Sequence, residues 1–184
     1  GRAYYAFGQQ NRMQIAPWGD LVPSHERPLI IGADFNFTPS PCVWMVGQMG
    51  PNIYSPSGKF WGRCIHWFNE LSQVEASTPD MTKKLVYTYP NFFYRVFGDS
   101  SGNRGTTSNA GRNDYMQIGE VLQDFNMNYT IDADQNNPLV KDRVENMNRL
   151  ANNGMGEVTM TYNPHTCPLF DSDVKMVGWK QQIG

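Results

Sequence analysis

The sequence predicts an α/β fold: a mixed sheet that opens with an antiparallel three-strand meander, continues with parallel strands and is flanked by helices. Three observations carry this expectation. The chain has 184 residues, 40% hydrophobic and 17% charged, enough for one well-cored domain and too few for two ordinary ones. Three strand-like runs follow one another before any helical periodicity begins. After them, helical stripes and short strand runs alternate, which places helices against the faces of the sheet.

Each element has its own signal. Residues 1–28 mix Tyr4, Tyr5, Phe7 and Trp18 with polar residues and the breakers Pro17, Pro23 and Pro28, and read as a lead-in that packs against a neighbouring body. The run from Leu29 to Phe37 is apolar but interrupted by Asp34 and Asn36, the pattern of a strand buried on both faces. Cys42–Gln48 and Arg63–Leu71 are the next two strands, with Pro51, Pro56 and Gly58 as turn residues between them. Thr78-Pro79-Asp80 combines an N-cap, a proline at the first helical position and a first-turn acid, so a short helix opens there and stops before Pro90. Phe92–Phe97 is a fourth strand. Between Ser100 and Arg112 the chain is rich in Gly, Ser, Thr and Asn, the makeup of a weakly ordered surface loop.

From Asn113 the apolar residues Ile118, Val121, Leu122 and Phe125 fall at helical spacing, and Tyr129–Asp132 is a fifth strand. Asn137-Pro138 starts another helix whose stripe is Val140, Val144, Met147 and Ala151, closed by Asn153-Gly154. Glu157–Tyr162 alternates like an exposed strand, and Cys167–Trp179 is a short helical segment. No internal repeat is visible. Meander, helix, strand, helix, strand, helix is the ribonuclease-H-like arrangement.

Composition removes several function classes. The formal net charge of −2 gives no basic surface, so a DNA contact has to be a local patch. No run approaches the ~20 apolar residues of a membrane span, and no basic n-region precedes an apolar segment, so neither a membrane partner nor an export signal is expected. Cys42, Cys64 and Cys167, like His25, His66 and His165, lack metal-ligand spacing; the cysteines read as core residues suited to a reducing compartment.

The chemistry lies in the acids. An ionised carboxylate in an apolar strand costs several kcal/mol unless a cation or hydrogen bonds compensate it, so Asp34 needs a partner. With strands one and four side by side in parallel, Asp34 and Asp99 converge near the strand ends. Their repulsion makes an oxygen-rich Mg2+ or Mn2+ site the simple solution. Glu70, closing strand three, supplies a further oxygen. The alternatives are strand-end N–H groups satisfying Asp34, an ordinary turn start at Asp99 and a solvated acid at Glu70. Arg104, Arg112, Lys83 and Lys84 are candidates for DNA phosphate contacts, or simply a solvated face. Gly98 to Gly105 has glycines but no Gly-Lys-Ser/Thr ending, which argues against nucleotide binding.

Four stretches carry a family resemblance: Arg27 to Pro39 (Arg-Pro-Leu-Ile-Ile-Gly-Ala-Asp-Phe-Asn-Phe-Thr-Pro), Asn69-Glu70, Tyr94 to Gly102 (Tyr-Arg-Val-Phe-Gly-Asp-Ser-Ser-Gly), and the helix from Pro138 to Leu150. With Asn113-Asp114-Tyr115 opening a helix, they resemble the nuclease domain of the large terminase subunit of tailed bacteriophages, over nearly the whole chain. The segment Gly1 to Phe7 resembles the lead from that family's packaging ATPase into its nuclease. The resemblance implies residues 1–28 as a lead-in from an absent ATPase domain and residues 29–184 as the ribonuclease-H-like nuclease domain.

It also implies a two-metal-ion endonuclease that cuts concatemeric double-stranded DNA with little sequence preference. Asp34 and Asp99 match the first- and fourth-strand metal ligands and Glu70 an auxiliary acid. One ion would activate water and the other steady the leaving 3′ oxygen. The implied partners are the portal, the small terminase subunit and an ATPase domain on the same polypeptide, and the implied place is the host cytoplasm at the viral procapsid.

Two departures stand out. The family's last acidic ligand lies in a C-terminal helix, in a His-x-x-Asp-Ala-like stretch beyond the part resembling Cys167 to Lys180, and the sequence to Gly184 lacks it. Asp171 and Asp173, the only late acids, fall in the preceding structural segment, so a shortened chain with an incomplete metal site is expected. No Walker motif occurs, so the chain does not translocate DNA itself. The competing readings are another ribonuclease-H-like enzyme, such as a resolvase or transposase core, and a non-catalytic docking domain of the packaging motor.

Overall fold

The computed structural model of the chain describes residues 2–19, 22–35, 41–54, 60–105 and 111–178. The elements are β1 (Leu29–Ala33), β2 (Cys42–Tyr54), β3 (Phe60–Gln73), α1 (Thr78–Thr88), β4 (Tyr94–Gly98), α2 (Asp114–Asp124), β5 (Tyr129–Ala133), α3 (Val140–Ala151), β6 (Met160–Tyr162) and α4 (Pro168–Met176). Short 3-10 turns lie at Gln9–Asn11 and Ser100–Asn103. The strands form one mixed sheet of order β5-β4-β1-β2-β3-β6. β1 is antiparallel to β2 and parallel to β4, β4 is parallel to β5, and β3 is parallel to β6. The expected meander followed by parallel strands is the one observed, extended by β6 beside β3.

The chain divides into two compact units, one of Gly1–Val22, Met49–Phe68 and Pro138–Gly184, the other of Pro23–Gln48 and Asn69–Asn137. In the second unit Leu29, Ile31, Trp44, Val46, Tyr94 and Val96 from the strands are buried with Met81, Leu85, Ile118 and Leu122 from the helices. Each such side chain contributes roughly 1.5–3 kcal/mol by leaving water. α1 packs on α2. Gln48, fully buried, has every polar group of its amide engaged: Ser24 N–H donates to Oε1 (2.8 Å), and Nε2 donates to the carbonyls of Ser24 (2.8 Å) and Arg27 (2.9 Å). That amide ties the approach to β1 onto β2.

In the first unit the opening residues are built into the core. Buried Asn11 donates from Nδ2 to the carbonyls of Ala151 and Met160, both at 2.8 Å, and its Oδ1 accepts from Gly8 N–H at 2.9 Å. Asn148 of α3 donates to Ala3 O (2.9 Å) and accepts from Ala6 N–H (3.1 Å). All three cysteines are buried and free, as expected. His66 is wholly buried, with Nδ1 2.9 Å from Thr161 Oγ1, its Nε2 lacking a hydrogen-bond partner and Trp18 edge-on to its ring. Burial alone pushes its imidazole down to about 4.

Several element boundaries differ from the sequence reading, each for a local reason. The expected Cys42–Gln48 and Arg63–Leu71 are longer strands, and Pro51 lies inside β2 rather than in a turn. The register pairs of β1 with β2 end at Ile30–Gly47, so no β1 ladder bond is asked of a residue without an N–H. Pro56 and Gly58, the remainder of the expected turn, lie outside the described residues, as do Asn36 and Phe37 of the first strand run. The cap of α1 is Ser77 instead of Thr78: Ser77 Oγ accepts from Asp80 N–H while the Asp80 carboxylate accepts from Ser77, a closed capping box.

β4 starts at Tyr94, not Phe92, whose ring stacks on His25 at 3.9 Å. α3 starts at Val140 instead of Asn137-Pro138, because the Asn137 side chain accepts from Ser100 N–H (2.7 Å) and does not cap the helix. Val140 is accordingly exposed. The segment read as an exposed strand shrinks to Met160–Tyr162, and all three residues are buried. The expected last helix is α4, ending at Met176; residues 179–184 lie outside the described residues.

Two stability measurements check this description. Asn11→Ala leaves two buried carbonyls and one N–H unpaired, so chemical denaturation should show a loss of about 3 kcal/mol. For His66 the folded-state pKa lies below the unfolded value of 6.5. Above pH 6.5 neither state is protonated there and nothing is lost; below it the unfolded chain takes a proton the folded chain refuses. Stability should fall by ~1.4 kcal/mol per pH unit until about pH 4, some ~3 kcal/mol in all, and His66→Gln should remove that part of the slope in denaturation series across this range.

Candidate active site

The site lies at the carboxyl ends of the three parallel strands of the second unit. β1 and β4 pair in register from Leu29–Tyr94 to Ala33–Gly98, and β4 and β5 from Tyr94–Tyr129 to Gly98–Ala133. The next residue on each strand is an aspartate, Asp34, Asp99 and Asp134. The three therefore follow directly on strand ends that pair in register, β1 with β4 and β4 with β5.

Backbone contacts fix the first two. The carbonyl of Asp34 accepts from Trp44 Nε1 at 3.2 Å and from the Cys42 thiol at 3.0 Å. Trp44 is wholly buried, so its indole is a rigid donor. Burial first, then the charge of Asp34 and more weakly that of Asp114, pushes the Cys42 thiol up to about 11, which keeps it protonated and donating. On the other strand the Tyr115 hydroxyl donates to the carbonyl of Asp99 at 2.8 Å. Burial and the charges of Asp99, Asp114 and Asp134, in that order, hold its phenol up at about 12.

The Asp99 side chain caps the 3-10 turn Ser100–Asn103: Oδ1 accepts from Ser101 N–H (2.8 Å) and from the Ser101 hydroxyl. Oδ2 has no protein hydrogen bond among the described residues. The turn is pinned by Asn137 at Ser100 and by Asn103 Nδ2 donating to the Asp134 carbonyl (3.0 Å). The weakly ordered loop expected from Ser100 onward is thus a fixed turn as far as Asn103, because short polar side chains satisfy its backbone; residues 106–110 lie outside the described residues.

Of the expected site residues, Asp34 and Asp99 each follow directly on strands that pair in register, with Ala33 opposite Gly98. Glu70 lies within β3, which continues to Gln73, and is half-buried. Among the described residues no three His, Cys, Asp or Glu side chains gather closely enough to hold an ion. Lys84 is not a free cation: its ammonium donates to the Ser72 carbonyl at 2.8 Å. Arg112 pairs with Glu120 at 2.9 Å on an exposed surface. Lys83 is exposed beside Asp80, and Arg104 is exposed at the end of the Asp99 turn. Asp171 belongs to the other unit, held by Arg12 (3.0 Å), Tyr162 (2.7 Å) and Lys175 (2.5 Å). Burial opposes its ionisation, but these donors and charges outweigh burial and keep its carboxyl below the usual range. Asp173 is exposed on α4.

Two acids went unsignalled. Asp134 follows a short, half-exposed strand in a polar stretch, where no apolar neighbour marks it as costly. Asp114 reads as an ordinary first-turn acid of α2, yet Thr78 Oγ1 donates to its Oδ1 at 2.5 Å and its charge reaches both Cys42 and Tyr115. Neither Asp99, Asp114 nor Asp134 forms an ion pair with a basic side chain among the described residues. Carboxylate oxygens such as those of Asp99, which has no basic partner among the described residues, suit a hard divalent cation.

No family model and no curated protein matches the chain. Among solved structures it is similar to the P22 large terminase nuclease domain, at 14% identity and a TM-score of 0.57, over 96% of this chain and 78% of that one. A ribonuclease H1 from the halophilic archaeon Halobacterium salinarum NRC-1 also matches, at 12% identity and a TM-score of 0.29 over 65% of this chain and 93% of that one. By its sheet order and its likeness to the P22 domain, the chain shares the fold of that nuclease domain.

Proposed function

We propose that the chain is a divalent-metal-dependent DNA endonuclease domain of a viral packaging terminase. The observation that supports this reading is the parallel register of β1 on β4, which ends with Ala33 opposite Gly98, one residue before Asp34 and Asp99, with Asp99 Oδ2 left without a protein donor among the described residues. Asp34 and Asp99 would hold Mg2+ or Mn2+, as two ions, through hard carboxylate oxygens. Such ions, when bound, supply an activated water and charge stabilisation at the leaving oxygen. The remaining work belongs to the chain. Trp44 and Cys42 hold Asp34 in place, Ser101 orients Asp99, and Arg104 and Lys83 offer exposed charge to phosphates.

The substrate in this reading is concatemeric double-stranded DNA, cut with little sequence preference. In this reading the partners are an ATPase domain of the same polypeptide, the portal and the small terminase subunit, at the procapsid in the host cytoplasm. The likeness to a terminase nuclease domain supports this assignment. Among the described residues no helix is long and apolar enough to cross a membrane. A second reading, a non-catalytic docking domain, is favoured by the lack of any three-acid group close enough to hold an ion among the described residues.

Plasmid nicking with Mn2+ or Mg2+ separates the two. Asp34→Asn and Asp99→Asn should each lower nicking by about three orders of magnitude, ~4 kcal/mol of lost transition-state stabilisation, while the melting temperature holds or rises as a repelling charge is removed. Unchanged cutting by either variant refutes the role given to that acid. No metal-dependent cutting by the unaltered chain favours docking, and a preference for branched DNA favours a resolvase-like enzyme. In DNA-binding titrations, Arg104→Ala and Lys83→Ala should each reduce the salt slope by about one, whereas Lys84→Ala should lower stability and leave the slope alone.

A further inference from the structure

Between the two strand tips lies a wedge of aromatic rings that the cleavage reading does not use. The Phe35 ring, on the residue after Asp34, meets the Tyr115 ring edge-on at 5.1 Å. Tyr115, which is 5% exposed, reaches past Phe35 to donate its hydroxyl to the Asp99 carbonyl at 2.8 Å. One side chain thus touches the neighbour of one acid and the backbone of the other.

Two glycines make room for it. A Cβ at Gly98 would lie 2.6 Å from the Tyr115 hydroxyl, 2.9 Å from Phe35 Cε2 and 3.0 Å from the Ala33 carbonyl. A Cβ at Gly102 would lie 2.5 Å from Phe35 Cε2 and 2.7 Å from Tyr115 Cε2. All four distances to the rings fall short of van der Waals contact, so the chain on either side of Asp99 is glycine where the rings sit. Tyr115 is the second residue of α2, whose cap, Asn113 Oδ1 accepting from Met116 N–H at 2.8 Å, holds the ring's starting point.

We propose that Tyr115 is a positioning residue for the carboxylate pair: its ring braces Phe35 and its hydroxyl anchors Asp99, so one side chain sets the separation and aim of the two acids. This rests on the reading of Asp34 and Asp99 as metal ligands. Tyr115 itself donates to a backbone carbonyl and acts only through its neighbours. Groups that orient a ligand in this way tune metal affinity more than they tune stability.

The test is Mn2+ binding to the whole chain without DNA, by calorimetry and by the electron paramagnetic resonance of free Mn2+, beside thermal unfolding. Tyr115→Phe, which keeps the ring and removes the anchor, should weaken Mn2+ binding ~10-fold or more. Gly102→Ala, which keeps the hydroxyl and displaces the rings, should weaken it in the same direction. Tyr94→Phe is the control, since the hydroxyl of buried Tyr94 also donates to a backbone carbonyl, that of Tyr89, away from the acids; it should unfold earlier and bind Mn2+ like the unaltered chain. Wild-type affinity in both Tyr115→Phe and Gly102→Ala, with affinity lost in Asp99→Asn, overturns the positioning role and leaves the metal reading standing. No Mn2+ binding by the unaltered chain overturns both.

Discussion

The parallel register of β1 on β4 is the constraint on which the rest of the second unit depends. Ala33 sits opposite Gly98, so the next residue on each strand is an acid. Side chains alternate faces along a strand, so a slip of one residue would send one carboxylate to the opposite face. The apolar residues that enforce the register, Ile31 and Leu29 on one strand and Val96 and Tyr94 on the other, are all buried. Packing energy spread over many side chains thereby fixes the register that the two aspartates follow.

The backbone carries a second layer of control. The carbonyls of Asp34 and Asp99 both accept from buried side chains, Trp44 and Cys42 on one strand and Tyr115 on the other. None of these donors is charged at neutral pH; burial first, and the negative neighbours after it, raise the Cys42 and Tyr115 pKa values further.

Much of this was legible in the chain. Asp34 stands out because a carboxylate interrupts an apolar run, and the three-strand opening, with helices and strands alternating after it, is enough to imply which strands neighbour which. What stayed hidden depends on partners far away in sequence. Asp114 looks like a helix-start acid until Thr78 is beside it, and Asp134 gains meaning only from the β4–β5 register. Pro51 looks like a turn because nothing local says how far β1 extends. The loop after Asp99 looks loose because Asn137, which pins it, reads as the cap of a different helix.

Several basic side chains among the described residues have partners elsewhere in the molecule. Lys84 serves a β3 carbonyl, Arg112 serves Glu120 and Arg95 serves Asp132. For these groups to meet a polyanion they would have to exchange an internal partner for an external one, so little net electrostatic energy and few released counterions accompany the swap. A tally of lysines and arginines thus overstates the attraction this surface would exert on a polyanion.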